Sequence, residues 1–103
     1  MLNQEQLNVV VQEAMESIPM NAEMIIYDDG STFYATDYNN RPEEEKDGKV
    51  TRVATLDLSL DTWGDMIEDL TGEYYNYDFS VADLDEDTQG DIKDTIEDMI
   101  INQ

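Results

Sequence analysis

Asp61, Asp65, Glu68 and Asp69 recur at the spacing that sets side chains on one face of a helix, and Asp87, Asp91, Asp94 and Asp98 repeat the arrangement later in the chain. Rows of carboxylates can exchange protons, ligate a hard cation, or neutralise a basic surface by taking the place of phosphates on it. Both rows belong to a tract from Asp57 to Asp98 in which fifteen acids face a single base, Lys93. Proton-transfer catalysis has little else to work with. The chain holds no His and no Cys, and so lacks the commonest general base, the commonest metal ligand and any thiolate nucleophile. No nucleophile stands with an adjacent base, and there is no Gly-rich phosphate loop. Among 26 acids some pair always suits acid–base or glycosidic chemistry, so a pair as such identifies no reaction. Neither an enzymatic activity nor a cofactor is expected.

Calcium is the sharpest competing chemistry. Asp83, Asp85, Asp87 and Asp91 occupy the first, third, fifth and ninth positions of an EF-hand-like loop. Thr88, however, stands where that loop needs Gly, Gly90 replaces its apolar residue and Asp94 its bidentate Glu. The segment reads as a capped helix start, and no specific metal site is expected.

Substitution for phosphates fits the spacing better. If Leu60 to Thr71 is helical, its four acids fall within an arc of roughly 100°, and Leu60, Trp63, Met66, Ile67 and Leu70 fill the opposite side. Asp61 to Asp69 then spans about 12 Å of helix rise, or one carboxylate per ~3–4 Å, beside one phosphate per ~3.4 Å along a DNA strand. A helix over Glu86 to Ile101 carries its four acids at a similar density, next to an apolar stripe of Ile92, Ile96, Met99 and Ile100. With Asp57 at the head of the tract, these nine carboxylates form the candidate partner-binding face. Solubility alone asks for a net charge of only ~2–8, and the chain carries -21. An ordinary solvated helix face and a salt-adapted surface are the bland readings that stand beside mimicry.

The remaining elements must position those helices. Leu7, Val10, Val11, Ala14, Met15 and Ile18 keep helical spacing up to Pro19, predicting an amphipathic helix over Asn3 to Ser17. Ala22 to Tyr27 and Ser31 to Asp37 flank Asp28-Asp29-Gly30, and Asp-Gly predicts a type I′ hairpin with Ile26 opposite Phe33 and Met24 opposite Ala35. That register leaves Ile25, Tyr27, Tyr34 and Thr36 on the other face. Tyr38 to Lys49 reads as an exposed loop whose bases, with Arg52, either balance Glu43, Glu44 and Glu45 or reach the acidic face of a second copy in a homodimer. Val50 to Leu58 predicts a third strand with Val50, Ala54, Leu56 and Leu58 on one side. Ser59 and Gly72 delimit the first acidic helix, and Asp85 or Asp87 caps the last. Tyr75, Tyr77 and Phe79 alternate as in a fourth strand or an extended connector. Trp63 and the methionines Met15, Met24, Met66 and Met99 fall on apolar stripes and are expected in the core.

The whole is one domain of the α+β class: an antiparallel sheet of three to four strands with an N-terminal helix and two acidic C-terminal helices. In size, charge, acid-rowed helices and order of elements, it resembles the small acidic proteins of phages and mobile elements that inhibit restriction enzymes or CRISPR nucleases by imitating DNA. Acidic immunity proteins and antitoxins share that character. The resemblance implies a non-enzymatic inhibitor that blocks the groove of a basic nucleic-acid-binding protein. The alternative is an acidic structural or adaptor protein with incidental charge. Nucleic acid and anionic membranes would be repelled in either case. With no signal-peptide pattern and no apolar run of spanning length, a soluble, cytoplasmic protein is expected.

Overall fold

The computed structural model describes residues 2–36, 42–76, 78 and 80–103. Among them the order is α1 (Gln4–Glu16), β1 (Glu23–Tyr27), β2 (Thr32–Ala35), a one-turn α2 (Glu43–Lys46), β3 (Arg52–Asp57), α3 (Leu60–Thr71), a 3-10 turn (Val81–Asp83) and α4 (Glu86–Ile101). It is an α+β domain with the predicted N-terminal helix, antiparallel sheet and C-terminal helices. α1 starts at a capping box. The Asn3 side chain accepts from the Gln6 N–H at 2.8 Å, and the Gln6 side chain accepts from the Asn3 N–H at 3.0 Å, satisfying two donors the helix leaves open. Its buried face of Leu7, Val10, Val11, Ala14 and Met15 lies on the sheet.

Strand order is β2-β1-β3 with both pairings antiparallel, which puts β1 at the centre. Met24, Ile26, Ala54 and Leu56 turn to one side, and α1, α3 and α4 close over them with Val10, Val11, Trp63, Ile67, Ile92 and Ile96, all essentially inaccessible. A smaller cluster of Ile25, Tyr27, Phe33, Ala35 and Val50 lies on the reverse face. Glu45 of α2 ties the segment after Pro42 to this side, accepting from the Tyr27 hydroxyl at 3.0 Å and pairing with Arg52 through both carboxylate oxygens. That one-turn helix replaces the predicted loop, and the Arg52 pair matches the local balancing of charge. The rest of the predicted loop, at residues 38–41, lies outside the described residues, as does the last predicted strand residue, Asp37.

The hairpin register differs from the predicted one by a single residue. Ile25 faces Phe33, Met24 faces Tyr34 and Ile26 faces Thr32. A type I′ turn needs positive φ at both central residues, but only Gly30 has it, at 86°. The loop is instead three residues long. Tyr27 N–H donates to the Ser31 carbonyl at 3.0 Å, and the Asp29 carboxylate accepts from the N–H and hydroxyl of Ser31, holding Asp29 in a local turn. A one-residue slip exchanges the faces. Phe33 and Ala35 therefore go to the reverse side. Tyr34 meets α1, where its hydroxyl donates to Glu13 at 2.8 Å and lies 3.0 Å from the Ser17 hydroxyl. Burial pushes the Tyr34 phenol above its ordinary pKa.

A bulge adds a second correction. Ile26 pairs with Ala54 and Tyr27 with Arg52, so Val53 is the extra residue of β3. The bulge reverses the alternation, and Val50 joins the reverse cluster instead of the side that holds Ala54, Leu56 and Leu58. Residues 73–76 form no strand; Tyr75 packs on the main core, and Tyr77 and Phe79 lie outside the described residues.

Replacing Gly30 by Ala forces a side chain into left-handed backbone and sets its Cβ 3.2 Å from the Gln6 side chain. The variant is expected to lose about 1–2 kcal/mol in urea unfolding.

Candidate partner-binding surface

The acidic face of α3 is set by how that helix enters the core. Ser59 caps it, its hydroxyl accepting from the Thr62 N–H, and Leu58 and Trp63 are both fully buried on either side of the cap. The indole N–H of Trp63 donates to the Asp57 carbonyl at 2.7 Å, so the largest core side chain leaves no donor unsatisfied. The Asp57 carboxylate accepts from the Thr62 hydroxyl at 2.7 Å and the Ser59 N–H at 2.9 Å. Those bonds, Thr62 first, hold its pKa below the ordinary Asp value. Of the nine candidate residues, Asp57 is thus exposed but engaged in local hydrogen bonds, at the joint between β3 and α3.

With Trp63 and Ile67 inside, Asp61, Asp65, Glu68 and Asp69 are all exposed on the outer face of α3. Leu70, expected with the apolar residues, stays 42% exposed at the end of the helix. Gly72 then closes the helix in left-handed conformation, its N–H donating to the Glu68 carbonyl at 2.7 Å.

α4 repeats the logic. The Asp85 side chain accepts from the Thr88 N–H at 2.8 Å as N-cap; hydrogen bonding from the Thr88 side chain, and then from its N–H, lowers the Asp85 pKa, and Ile92, Ile96 and Ile100 turn into the core. Asp87, Asp91, Asp94 and Asp98 are exposed. Because Asp87, Asp91 and Asp94 stand on continuous helix, the backbone that a calcium loop would need around Asp83 to Asp94 is taken up by α4.

The two rows lie outside one core but not along one helix pair. α4 packs chiefly beside α1 and β3. α3 and α4 approach at a polar cleft of about 330 Å³, where Leu70 and Thr71 at the end of α3 meet Thr88 at the start of α4, with Glu73, Tyr75, Asp83 and Asp85 between them. Glu73 and Asp83 are not among the nine partner-binding candidates, and Asp83 enters the sequence reading only as the first position of the calcium-like pattern. The helix stop at Gly72 and the cap at Asp85 bracket them in sequence, and between those points Tyr75, Val81 and Leu84 pack on the main core.

Among the described residues, no hydrogen bond or ion pair engages the side chains of the eight row acids, and the ion pair there is Arg52 with Glu45. Lys93 is exposed amid the α4 row. The surface is therefore a set of solvated negative charges on helical backbone, with Lys93 as the base among them. Such a surface attracts cations and basic proteins and repels anions. No helix among the described residues is long and apolar enough to cross a membrane. Comparisons of the chain with protein-family models, with curated proteins and with solved structures find no match.

Asp57→Asn keeps the shape of the joint but removes its charge. Because folding lowers the Asp57 pKa, the stability it adds is present above the unfolded-state value and is lost as pH falls through the folded one. Wild type should therefore exceed the variant in urea midpoint at pH 7, and the gap should close below the ordinary value of 3.8, where the self-repulsion common to both proteins cancels in the comparison.

Proposed function

We propose that this protein is a non-enzymatic mimic of nucleic acid that binds a basic nucleic-acid-binding protein, such as a nuclease, and blocks its groove in the cytoplasm. The observation that carries the reading is the pair of capped helices whose eight exposed carboxylates have no hydrogen-bond or ion-pair partner among the described residues. Carboxylates spaced about as closely as phosphates release the same counterions from a Lys- and Arg-lined groove, so binding weakens as salt rises. Backbone order supports the reading too. An acid on a helix anchored by Trp63 or Ile96 has less freedom to lose on binding than one on a disordered tail. The contact needs no reacting group, since groove occupancy is itself the inhibition.

The test compares wild type with a variant carrying Asp61→Asn, Asp65→Asn, Asp91→Asn and Asp94→Asn. Each protein is used to capture partners from nuclease-treated bacterial lysate, with elution by rising salt and then by duplex DNA. A nucleic-acid-binding protein should leave wild type in salt or DNA. Its affinity for the variant should fall by roughly 1–4 kcal/mol, taking each lost surface charge pair at ~0.2–1 kcal/mol. A partner held equally by both proteins would instead mark an acidic adaptor whose row charges are incidental. Unfolding at low salt supplies the control, because the variant should be the more stable protein as repulsion is relieved.

A further inference from the structure

β3 is an edge strand. β1 pairs with one of its sides, and on the other Thr55 meets a side chain instead of a strand. The Thr55 N–H donates to Gln103 Oε1 at 2.8 Å, and the Thr55 carbonyl accepts from Gln103 Nε2 at 2.7 Å. Both bonds to a single residue are what the opposing residue supplies in a hydrogen-bonded antiparallel pair. The Gln103 amide thus stands in for one residue of a neighbouring strand. Next to it the edge opens on an apolar cavity of about 320 Å³ lined by Leu2, Leu7, Val53, Ile100, Ile101 and Gln103. Val53 is the bulge residue, and Ile101 is 50% exposed.

We propose that this edge is a docking site for an extended, basic segment of a partner protein. The segment adds to the sheet beside β3, displaces the Gln103 amide from Thr55 and places an apolar side chain in the cavity. Main-chain bonds with a pocket for an alternate side chain are the two components of recognition by strand addition. Charge selects the occupant. Glu97 and Asp98 stand one turn back along α4 from the Ile101 that lines the cavity, and the chain as a whole carries -21. A basic segment is drawn to that field, whereas a second copy would bring another -21 to the same contact. The inference rests on the sheet edge; it shares Asp98 with the α4 row, but the pairing at Thr55 and Gln103 that the test reads lies outside the row and stands or falls apart from groove mimicry.

The probe is an end-blocked peptide of alternating Val and Lys, with a control of equal length and charge in which Pro replaces Val. Proline cannot supply the ladder donors, so the control keeps the electrostatic attraction and loses the pairing. Titration into isotope-labelled protein should shift the Thr55 backbone amide and the Gln103 side-chain amide most, with the control binding about tenfold more weakly or worse. Gln103→Ala removes the internal competitor and should tighten binding several-fold. Thr55→Pro, whose lost N–H points away from β1, should weaken it, and if that variant fails to fold the Gln103→Ala result decides alone. Equal binding of the two peptides, shifts confined to α3 and α4, or no gain from Gln103→Ala would each overturn the proposal. So would sedimentation showing the same edge closed by a second copy.

Discussion

The fold depends on the burial of Trp63. The indole fills the space between the sheet and α3, and its N–H is pinned to the Asp57 carbonyl. Because the same short stretch also supplies the Ser59 cap and the Asp57 bonds to Ser59 and Thr62, the exit angle of β3 and the rotation of α3 are settled together. Once Trp63 points inward, helical geometry leaves Asp61, Asp65, Glu68 and Asp69 no choice but the outside. The acidic surface is a consequence of core packing, not an independent feature laid over it.

A chain of net charge -21 folds here against its own repulsion. It does so by separating the two demands in space. One apolar layer takes α1, α3, α4 and one face of the sheet, and the row carboxylates stay in water, where screening is strongest. Two half-buried acids are matched by donors. Glu13 accepts from Thr32 and Tyr34 beneath α1, and Glu45 accepts from Tyr27 and Arg52 on the reverse face. Asp57 and Asp85 are spent on helix starts, where the dipole and free N–H groups favour a negative charge. The acids thus divide into a minority that hold the fold and a majority that it merely displays.

The two faces of the sheet are finished differently, and the strand order β2-β1-β3 leaves β3 at an edge. Three helices cover the face built from Met24, Ile26, Ala54 and Leu56, but the reverse cluster is backed by the short segment that carries Glu45 and Val50. The outer side of β3 is met at Thr55 by the Gln103 amide. A side-chain amide satisfies the two backbone groups of Thr55 without extending the sheet.

Much of this was legible in the sequence. The amphipathic spacing of Leu7 to Met15, the Ser59 cap, the Gly72 stop and both acid rows are local patterns, and each appears where its period placed it because helix geometry is set within a few residues, while of the two caps open to the last helix, Asp85 and Asp87, the structure takes Asp85. The sheet was less legible for a physical reason. Asp-Gly suits a two-residue and a three-residue loop alike, and the choice turned on Asp29 keeping negative φ with its carboxylate on Ser31. That one-residue difference sent Tyr34 to α1 and Phe33 to the reverse face, just as the bulge at Val53 sent Val50 there. Sequence alone determined which side chains would be acidic helix faces. Tertiary packing decided that α4 lies beside α1 and β3, that the end of α3 and the start of α4 share the cleft at Glu73 and Asp83, and that Gln103 reaches Thr55, because those contacts join residues brought together by the fold and no local period encodes them.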